Sequence, residues 1–377
     1  MTAFTIFAIL LVLLGLLYGT LILIAVTGLA TPKQNFSSHT SDVSPVLSVI
    51  IAVRNEEHSV VACLDSISGQ DLDPRLFEVI ISDDASDDNT LQKIRDWIAG
   101  REQERWTVIA GGPGKKKAIE AAINRASGSC IVTTDADTLR WNGWLPAIMR
   151  AMKNEGTQLL IGPVFLCPGK SVFGKIQALE FFGISGITAG YANLRIPIMC
   201  NGANLAYRKE IFFGVGGFTG NEQVASGDDQ FLLGKVKKAC HKEAIRFLWD
   251  FDAVVSVAPA GGLRSFISQR IRWASKIRGI GDPLVWLTGA VTYLFQSAIL
   301  TVLVAGISMP LFLYLAITMF CFKLLVDFPV VFYMASFFRK QNLWAWYIPA
   351  QLFQILYVPL TGILAWLVPV RWKGRKL

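Results

Sequence analysis

Residues 129–138 read SCIVTTDADT, and their reading decides the fold. Apolar and β-branched residues run from Cys130 to Thr134 straight into two carboxylates one residue apart, Asp135 and Asp137. A short run of this kind, bounded by turn residues, reads as a buried strand. Three similar runs come before it: VLSVIIAV (46–53), FEVIISDD (77–84) and WTVIAG (106–111). The segments between them, EHSVVACLDSIS, NTLQKIRDWIAG and KKKAIEAAINRASG, have helical patterning. Strands alternating with helices predict βαβ units and a mainly parallel sheet. Such sheets bind ligands at the carboxyl ends of their strands, where these carboxylates fall.

Composition places this α/β region in a membrane context. Of the 377 residues 53% are hydrophobic and only 17% charged, which is too apolar for an ordinary soluble protein and too polar for a bundle of membrane helices alone. Residues 1–30 carry no charge and are apolar from about Phe4 to Val26, long enough to cross a hydrocarbon core of about 30 Å. The first charge is Lys33, so the basic n-region of a cleaved signal is missing and a retained anchor is expected. A polar linker follows over 31–44, then the α/β domain over 45–282. Beyond Asp282 no charge occurs until Lys323, and about three further spans are expected over 283–370, before a basic tail at 371–377. Lys323 and Asp327 stand four apart inside the second of these spans, an expensive placement unless they pair or line a cavity. A parse that breaks the chain near them gives four shorter spans. With the central domain cytoplasmic, three spans put the tail outside and four put it inside.

The net charge of +8 comes without a basic, aromatic-interleaved patch or a reading motif, so nucleic acid is not an expected partner. Anionic lipid headgroups and phosphorylated substrates are better reasons for the surplus. The six cysteines show no CxxC or Cys/His ligand spacing, which excludes a zinc site or disulfide framework as the organising feature.

Three acidic groups recur at strand ends: SDDASDD (82–88), TTDADT (133–138) and SGDDQF (226–231). Any one of them reads equally as turn or cap chemistry. Two carboxylates separated by one residue can face a hard cation, and Mg²⁺ or Mn²⁺ typically takes one or two carboxylates together with substrate phosphate oxygens. The pair Asp135 and Asp137 therefore suits a metal–diphosphate, and a carboxylate of the later GDD suits a general base toward a hydroxyl. GGPGKKK (111–117) lacks the ending of a P-loop, which disfavours kinase or ATPase chemistry.

The ordered set VIIAVRNEE, SDDASDDNT, GKKKAIEAAI, TTDADT, NGANLAYRKE, SGDDQFLL and QRIRW, over about residues 45–280, resembles the membrane-bound family 2 glycosyltransferases. These include lipid glycosyltransferases of the ceramide glucosyltransferase type and polysaccharide synthases. The resemblance implies a GT-A fold, Rossmann-like, with flanking transmembrane helices, and an inverting transfer from a nucleotide-diphosphate sugar, UDP-linked by expectation. By that resemblance Ala52, Arg54 and Glu56 lie in the motif that cradles the base, and Asp83 and Asp84 match the acidic pair that contacts base and ribose. Lys115 matches a lysine near the nucleotide, and Asp135 and Asp137 match the DxD, with Asp137 the closer metal ligand. Asp229 matches the base, with Asp228 standing where Glu is commoner. Gln269, Arg272 and Trp273 match the Q-x-x-R-W that closes over the diphosphate and flanks the acceptor.

Asn201 and Asn204 either shape the acceptor or sugar pocket or make a structural turn, and the apolar segment 171–192 is either a core helix or an interfacial one. The expected acceptor is a membrane lipid, in a bacterial plasma membrane with the catalytic domain cytoplasmic. A processive polysaccharide synthase, a non-catalytic scaffold and a nucleotidyltransferase are the alternatives.

Overall fold

The computed structural model describes residues 3–33, 46–101, 105–220, 227–368, 371–372 and 375–376. Most of the expected linker, and the side chains of the basic tail, lie outside the described residues. The predicted strands form as β1 (Leu47–Val53), β2 (Phe77–Asp83), β3 (Trp106–Ala110) and β4 (Cys130–Asp135). β5 (Thr138–Arg140), β6 (Leu159–Ile161), β7 (Val164–Leu166), β8 (Leu205–Arg208), β9 (Ile245–Phe247) and β10 (Val255–Val257) follow. Seven of them make one sheet in the order β3-β2-β1-β4-β8-β6-β9, while β5, β10 and β7 make a small second sheet.

The first four strands of the large sheet run parallel, in a register that pairs Ala52 with both Ser82 and Asp135, and Val53 with Asp83. The carboxylates of SDDASDD and TTDADT therefore share one edge. β8 is antiparallel to both neighbours, because it begins at Leu205 opposite Thr133, near the end of β4, and runs back.

Side chains alternate across the sheet as the two-residue strand period requires, and both faces are covered. Val49, Ile51 and Val79 pack with α2 (Val60–Ser68), α3 (Thr90–Ala99) and α5 (Trp144–Met152). Ile50, Ile80 and Ile131 face α4 (Lys115–Arg125), α6 (Val172–Asn193), α7 (Lys209–Gly214) and α8 (Asp228–Ala239). That second core continues without a break into α1 (Ala3–Ala30), α10 (Pro283–Ala305), α11 (Pro310–Phe337) and α12 (Tyr347–Leu367). The remaining helix, α9 (Leu263–Lys276), packs along α12.

Four helices, Thr5–Ala30, Pro283–Ala305, Pro310–Phe337 and Gln341–Leu367, are long and apolar enough to cross a membrane, and they mark the chain as a membrane protein. α10 starts where Asp282 accepts from the Leu284 amide at 2.9 Å and Pro283 opens the first turn. α11 continues through Lys323 and Asp327 as one helix. There Lys323 Nζ lies 2.7 Å from Asp327 Oδ2, Tyr18 donates to Asp327 Oδ1 at 2.6 Å, and Lys323 also reaches Gln354 (2.8 Å) and Gln351.

α6 is buried nearly all round, between the sheet and the long helices. It crosses α1 so closely that a methyl group at Gly28 would lie 2.0 Å from the Gly190 carbonyl oxygen, and one at Gly190 would lie 2.3 Å from that of Ala25. Only small residues permit such an approach.

Candidate active site

A cavity of about 650 Å³ opens along the carboxyl edge of the sheet and extends between the long helices. Ala52, Arg54 and Glu56 line one part, then Lys115, Asp135 and Asp137, then Asn201, Asp228 and Asp229, and then Gln269, Arg272 and Trp273. Twelve of the residues singled out in the sequence thus share one wall. Tyr18, Thr292, Gln296, Asp327, Gln351 and Gln354 line its other end, within α1, α10, α11 and α12.

The local sequence explains how each group is held. After β1, Arg54 donates from Nη1 to the carbonyl oxygens of Asp84 (2.8 Å) and Ala85 (3.0 Å), and Glu56 Oε2 accepts from Ser59 at 2.7 Å. The turn after β3 needs Gly111, since a methyl group there would meet Ser82 Oγ at 2.1 Å and Ala118 Cα at 2.7 Å. That turn delivers Lys115 to the start of α4, where its ammonium bonds Asp135 Oδ1 at 2.7 Å and lies 4.0 Å from Asp228 Oδ2. The DADT turn is braced from behind, with Thr138 donating to the Asp135 carbonyl (2.6 Å) and Thr134 to that of Ala203 (2.8 Å).

Asp228 and Asp229 stand in the first turn of α8, where the helix dipole favours anions, after Gly227 in a left-handed conformation at φ 85°. Asp229 accepts from the Gly202 amide at 3.1 Å and from the Gln230 amide at 2.9 Å, so the NGAN loop grips the expected base. Lys276, one turn beyond Arg272 on α9, lies 3.8 Å from Asp229 Oδ1.

The electrostatics divide the carboxylates. Burial pushes Asp135 upward, but the charges of Lys115, Arg272 and Lys276 outweigh it and hold the group below the usual range. Asp228 is raised, because burial and the neighbouring Asp229 outweigh Lys115 and Lys276. Lys115 is raised, its carboxylate partners overcoming its burial. Arg272 is lowered by burial, although Asp135, Asp228, Asp229 and Asp137 all pull the other way.

Two expectations meet a different arrangement. Asp84 is 1% exposed and away from the cavity lining, and its carboxylate accepts from the Gly114 amide, so it anchors the loop that presents Lys115. Asp83 beside it accepts from the Ser86 amide at 3.3 Å and also lies off the lining. Asn204 is likewise 1% exposed: it accepts from Trp144 Nε1 (3.0 Å) and donates to Pro163 O (2.9 Å) and Ala253 O (2.8 Å). It ties three loops behind the site, while Asn201 lines the cavity. Of the two readings left open for this pair, Asn204 has the structural one.

Four residues went unread in the sequence. Lys276 could have been found by its i+4 spacing from Arg272. Glu180, the lone acid of an apolar segment, had a signal in that isolation. Arg270 and Tyr357, which join it, had none.

Among the described residues no three or more His, Cys, Asp or Glu side chains converge on a cation position. A cation here would take Asp135 and Asp137 from the protein and fill its shell with phosphate oxygens and water. That donor set fits Mg²⁺ or Mn²⁺.

Residues 48–214 match the family described as Glycosyl transferase family 2. The match ends before Asp228, Asp229 and α9. The N-acetylglucosaminyltransferase of Bradyrhizobium diazoefficiens is 21% identical over 241 residues, 62% of this chain and 49% of that protein. The N-acetylglucosaminyltransferase of Rhizobium sp. (strain N33) is 30% identical over 123 residues, 32% of this chain and 27% of that protein. This chain thus spans about half, or less, of the length of these curated relatives. The solved structure of the mannosyltransferase PcManGT from Pyrobaculum calidifontis, in complex with GDP-Man and Mn²⁺, superposes with a TM-score of 0.59 at 18% identity. The superposition covers 93% of this chain and 98% of that one, a likeness of fold that includes the long helices. Sheet order, family match and superposition agree: residues 48–214 carry a family 2 glycosyltransferase match within an α/β domain of GT-A fold, joined to helices long and apolar enough to cross a membrane.

Proposed function

We propose that this protein moves a sugar from a nucleotide-diphosphate sugar, UDP-linked, to a hydroxyl of a membrane lipid, with inversion at the anomeric carbon. The observation that carries the reading is the single cavity joining Lys115, Asp135 and Asp137 to Asp229 and then to the long helices. A soluble acceptor would not need that last stretch, whereas a lipid headgroup can enter through it.

The chain's own groups divide the work. Ala52, Arg54 and Glu56 hold the nucleoside end, while Lys115, Arg272 and Lys276 supply positive charge to the diphosphate, Arg272 through a fork of donors. Asp229, gripped by Gly202, takes the proton of the acceptor hydroxyl as its oxygen bonds the anomeric carbon. The bond from that carbon to the diphosphate breaks, and the electron pair leaves with UDP. Mg²⁺ or Mn²⁺ held by Asp135 and Asp137 would neutralise charge on the departing diphosphate. Trp273 offers a flat wall to the sugar or lipid, and holding both reactants in one cavity supplies much of the rate. Lys and Arg residues crowd α9 just ahead of α10, which supports a cytoplasmic catalytic domain at a bacterial plasma membrane.

One observation favours a second reading. The membrane end of the cavity bears Thr292, Gln296, Gln351 and Gln354, which suit an acceptor with hydroxyls along its length, as in polymer synthesis. Membranes containing the protein, supplied with UDP-sugars, Mg²⁺ or Mn²⁺ and lipid extract, test both. UDP release with label in the organic phase, lost in Asp229→Asn, is the expected result. Label in insoluble polymer with a long-chain product profile would establish the second reading. Turnover untouched by Asp229→Asn would overturn the assignment of the base.

A further inference from the structure

Arg270 follows Gln269 directly and is 5% exposed. A guanidinium buried this deeply is tolerated only when its donors are met. Its Nε donates to Glu180 Oε1 at 3.1 Å, and its Nη2 to Glu180 Oε2. Tyr357 completes that carboxylate by donating to Oε1 at 2.5 Å. Glu180 belongs to α6, Arg270 to α9 and Tyr357 to α12, so one buried triad fastens a membrane-length helix to the helix that carries Gln269, Arg272 and Trp273.

Two features of Arg270 face the cavity residues. Its Nη1 donates to Gln269 Oε1 at 2.6 Å. Arginine has no acceptor, so the amide atom turned toward it has to be the oxygen, and the two N–H donors of Gln269 are left for a ligand. Its guanidinium carbon also lies 4.2 Å from the Trp273 ring centroid and 4.3 Å from that of Phe266, which gives the indole a fixed backing. Arginine is rigid and planar, so a guanidinium fastened along one edge by a bidentate carboxylate has its third nitrogen and its face set in direction.

We infer that Glu180, Arg270 and Tyr357 are positioning residues for glycosyl transfer: they turn Gln269 into a hydrogen-bond donor toward the donor diphosphate and fix Trp273 beside the acceptor. The inference rests on the proposed transfer reaction. A purely structural role would tie the three helices together and leave the chemistry indifferent to how Arg270 meets Gln269.

Steady-state kinetics on the full-length protein in membranes separate the two roles, with UDP-sugar varied and thermal unfolding followed in parallel. Arg270→Lys keeps a charge for Glu180 but loses the fork and the flat face. The double variant Glu180→Met with Arg270→Met removes the pair together, a replacement that buried ion pairs often tolerate. Both are expected to stay folded, to lose about 10²-fold in kcat, as small misplacements in active sites do, and to show a raised donor KM. Gln269→Glu keeps an acceptor for Arg270 but offers the diphosphate no donor, and is expected to raise the donor KM with unchanged thermal stability. Tyr357→Phe, which leaves the Arg270–Glu180 bonds in place but removes the donor to Glu180 Oε1, is expected to shift kcat and donor KM in the same direction as Arg270→Lys, by a smaller factor. Folded Arg270→Lys and double variants with kcat and donor KM within twofold of wild type would overturn the positioning role, as would collapse of both, which would make the triad a packing element. Absence of turnover in wild type with every UDP-sugar would instead fail the transfer reading itself.

Discussion

The carboxyl edge of the sheet and the membrane bundle both bury charge, in opposite ways. At the edge, Lys115 and Asp135 pair at 2.7 Å while their side chains stay 22% and 34% exposed, and Arg272, Lys276, Asp228 and Asp229 crowd the same space. These contacts can be exchanged if the proposed diphosphate and cation enter, because each would offer the charge that a partner now supplies. In the bundle, Lys323 and Asp327 are 0% and 11% exposed, and Tyr18, Gln351 and Gln354 complete them. Asp327, Tyr18, Gln351 and Gln354 line the far end of the cavity, but the charges there are already met, Lys323 by Asp327 and the two amides, and Asp327 by Tyr18 as well. Ion pairs next to a cavity opening therefore answer to ligand, and ion pairs sealed by amides and hydroxyls answer to folding.

Substitutions break this comparison most sharply where the proposed chemistry is. Asp229→Asn is expected to lower turnover about 10²–10⁴-fold, the range for loss of a general base, while thermal stability moves little. Asp137→Ala is expected to abolish stimulation by Mg²⁺ or Mn²⁺, again without unfolding, as a metal titration of UDP release would read. In the bundle the balance reverses. Lys323→Met leaves Asp327 buried without its cation, with only the Tyr18 hydroxyl still donating to it, and should cost about 3–5 kcal/mol, read by thermal or denaturant unfolding in detergent. The double variant Lys323→Met with Asp327→Leu should recover most of that loss. If the single variant unfolds no more readily than wild type, the bundle pair is as exchangeable as the edge pair and the distinction fails. A smaller effect is expected at the α1–α6 crossing, where Gly190→Ala forces a methyl toward the Ala25 carbonyl and should cost about 1–3 kcal/mol.

The same contrast explains what could be read from the chain. β1 to β4 and their acidic ends were legible because a buried parallel strand needs a continuous apolar run, and VLSVIIAV and SCIVTTD have one. The long helices were legible because hydrocarbon leaves few alternatives, and the placement of Lys323 and Asp327 already required that they pair or line a cavity. Asp84 reads as a ligand contact, and Asn204 in either of two ways, for a physical reason: a polar residue at a strand end looks alike whether it meets a ligand or holds a loop, and only the contacts with Gly114 and Trp144 reveal the loop-holding bonds. The reversed direction of β8 depends on where α6 returns the chain. Glu180, Arg270 and Tyr357 meet only across 90 and 177 residues, a distance that local pattern does not reach.

The finest distinction lies within the edge itself, between two carboxylates that share Lys115. The ammonium stands 2.7 Å from Asp135 and 4.0 Å from Asp228, and the nearer carboxylate is lowered while the farther one is raised by burial and by Asp229. As pH falls, Asp228 takes up its proton first, at a pH above the ordinary aspartate range. If transfer requires both groups ionised, the acid limb of kcat/KM belongs to Asp228. The residual activity of Asp228→Asn should then show its acid limb at lower pH, because the raised group is gone. Lys115→Met should move the limb the other way: without the ammonium both carboxylates lose the charge that favours their ionised form, so both protonate at higher pH. These displacements are the smallest effects expected, since they redistribute protons within an intact site. A limb that stays put in both variants would assign it to a group outside the Lys115 cluster, and would separate the edge charges from the proton chemistry of the reaction.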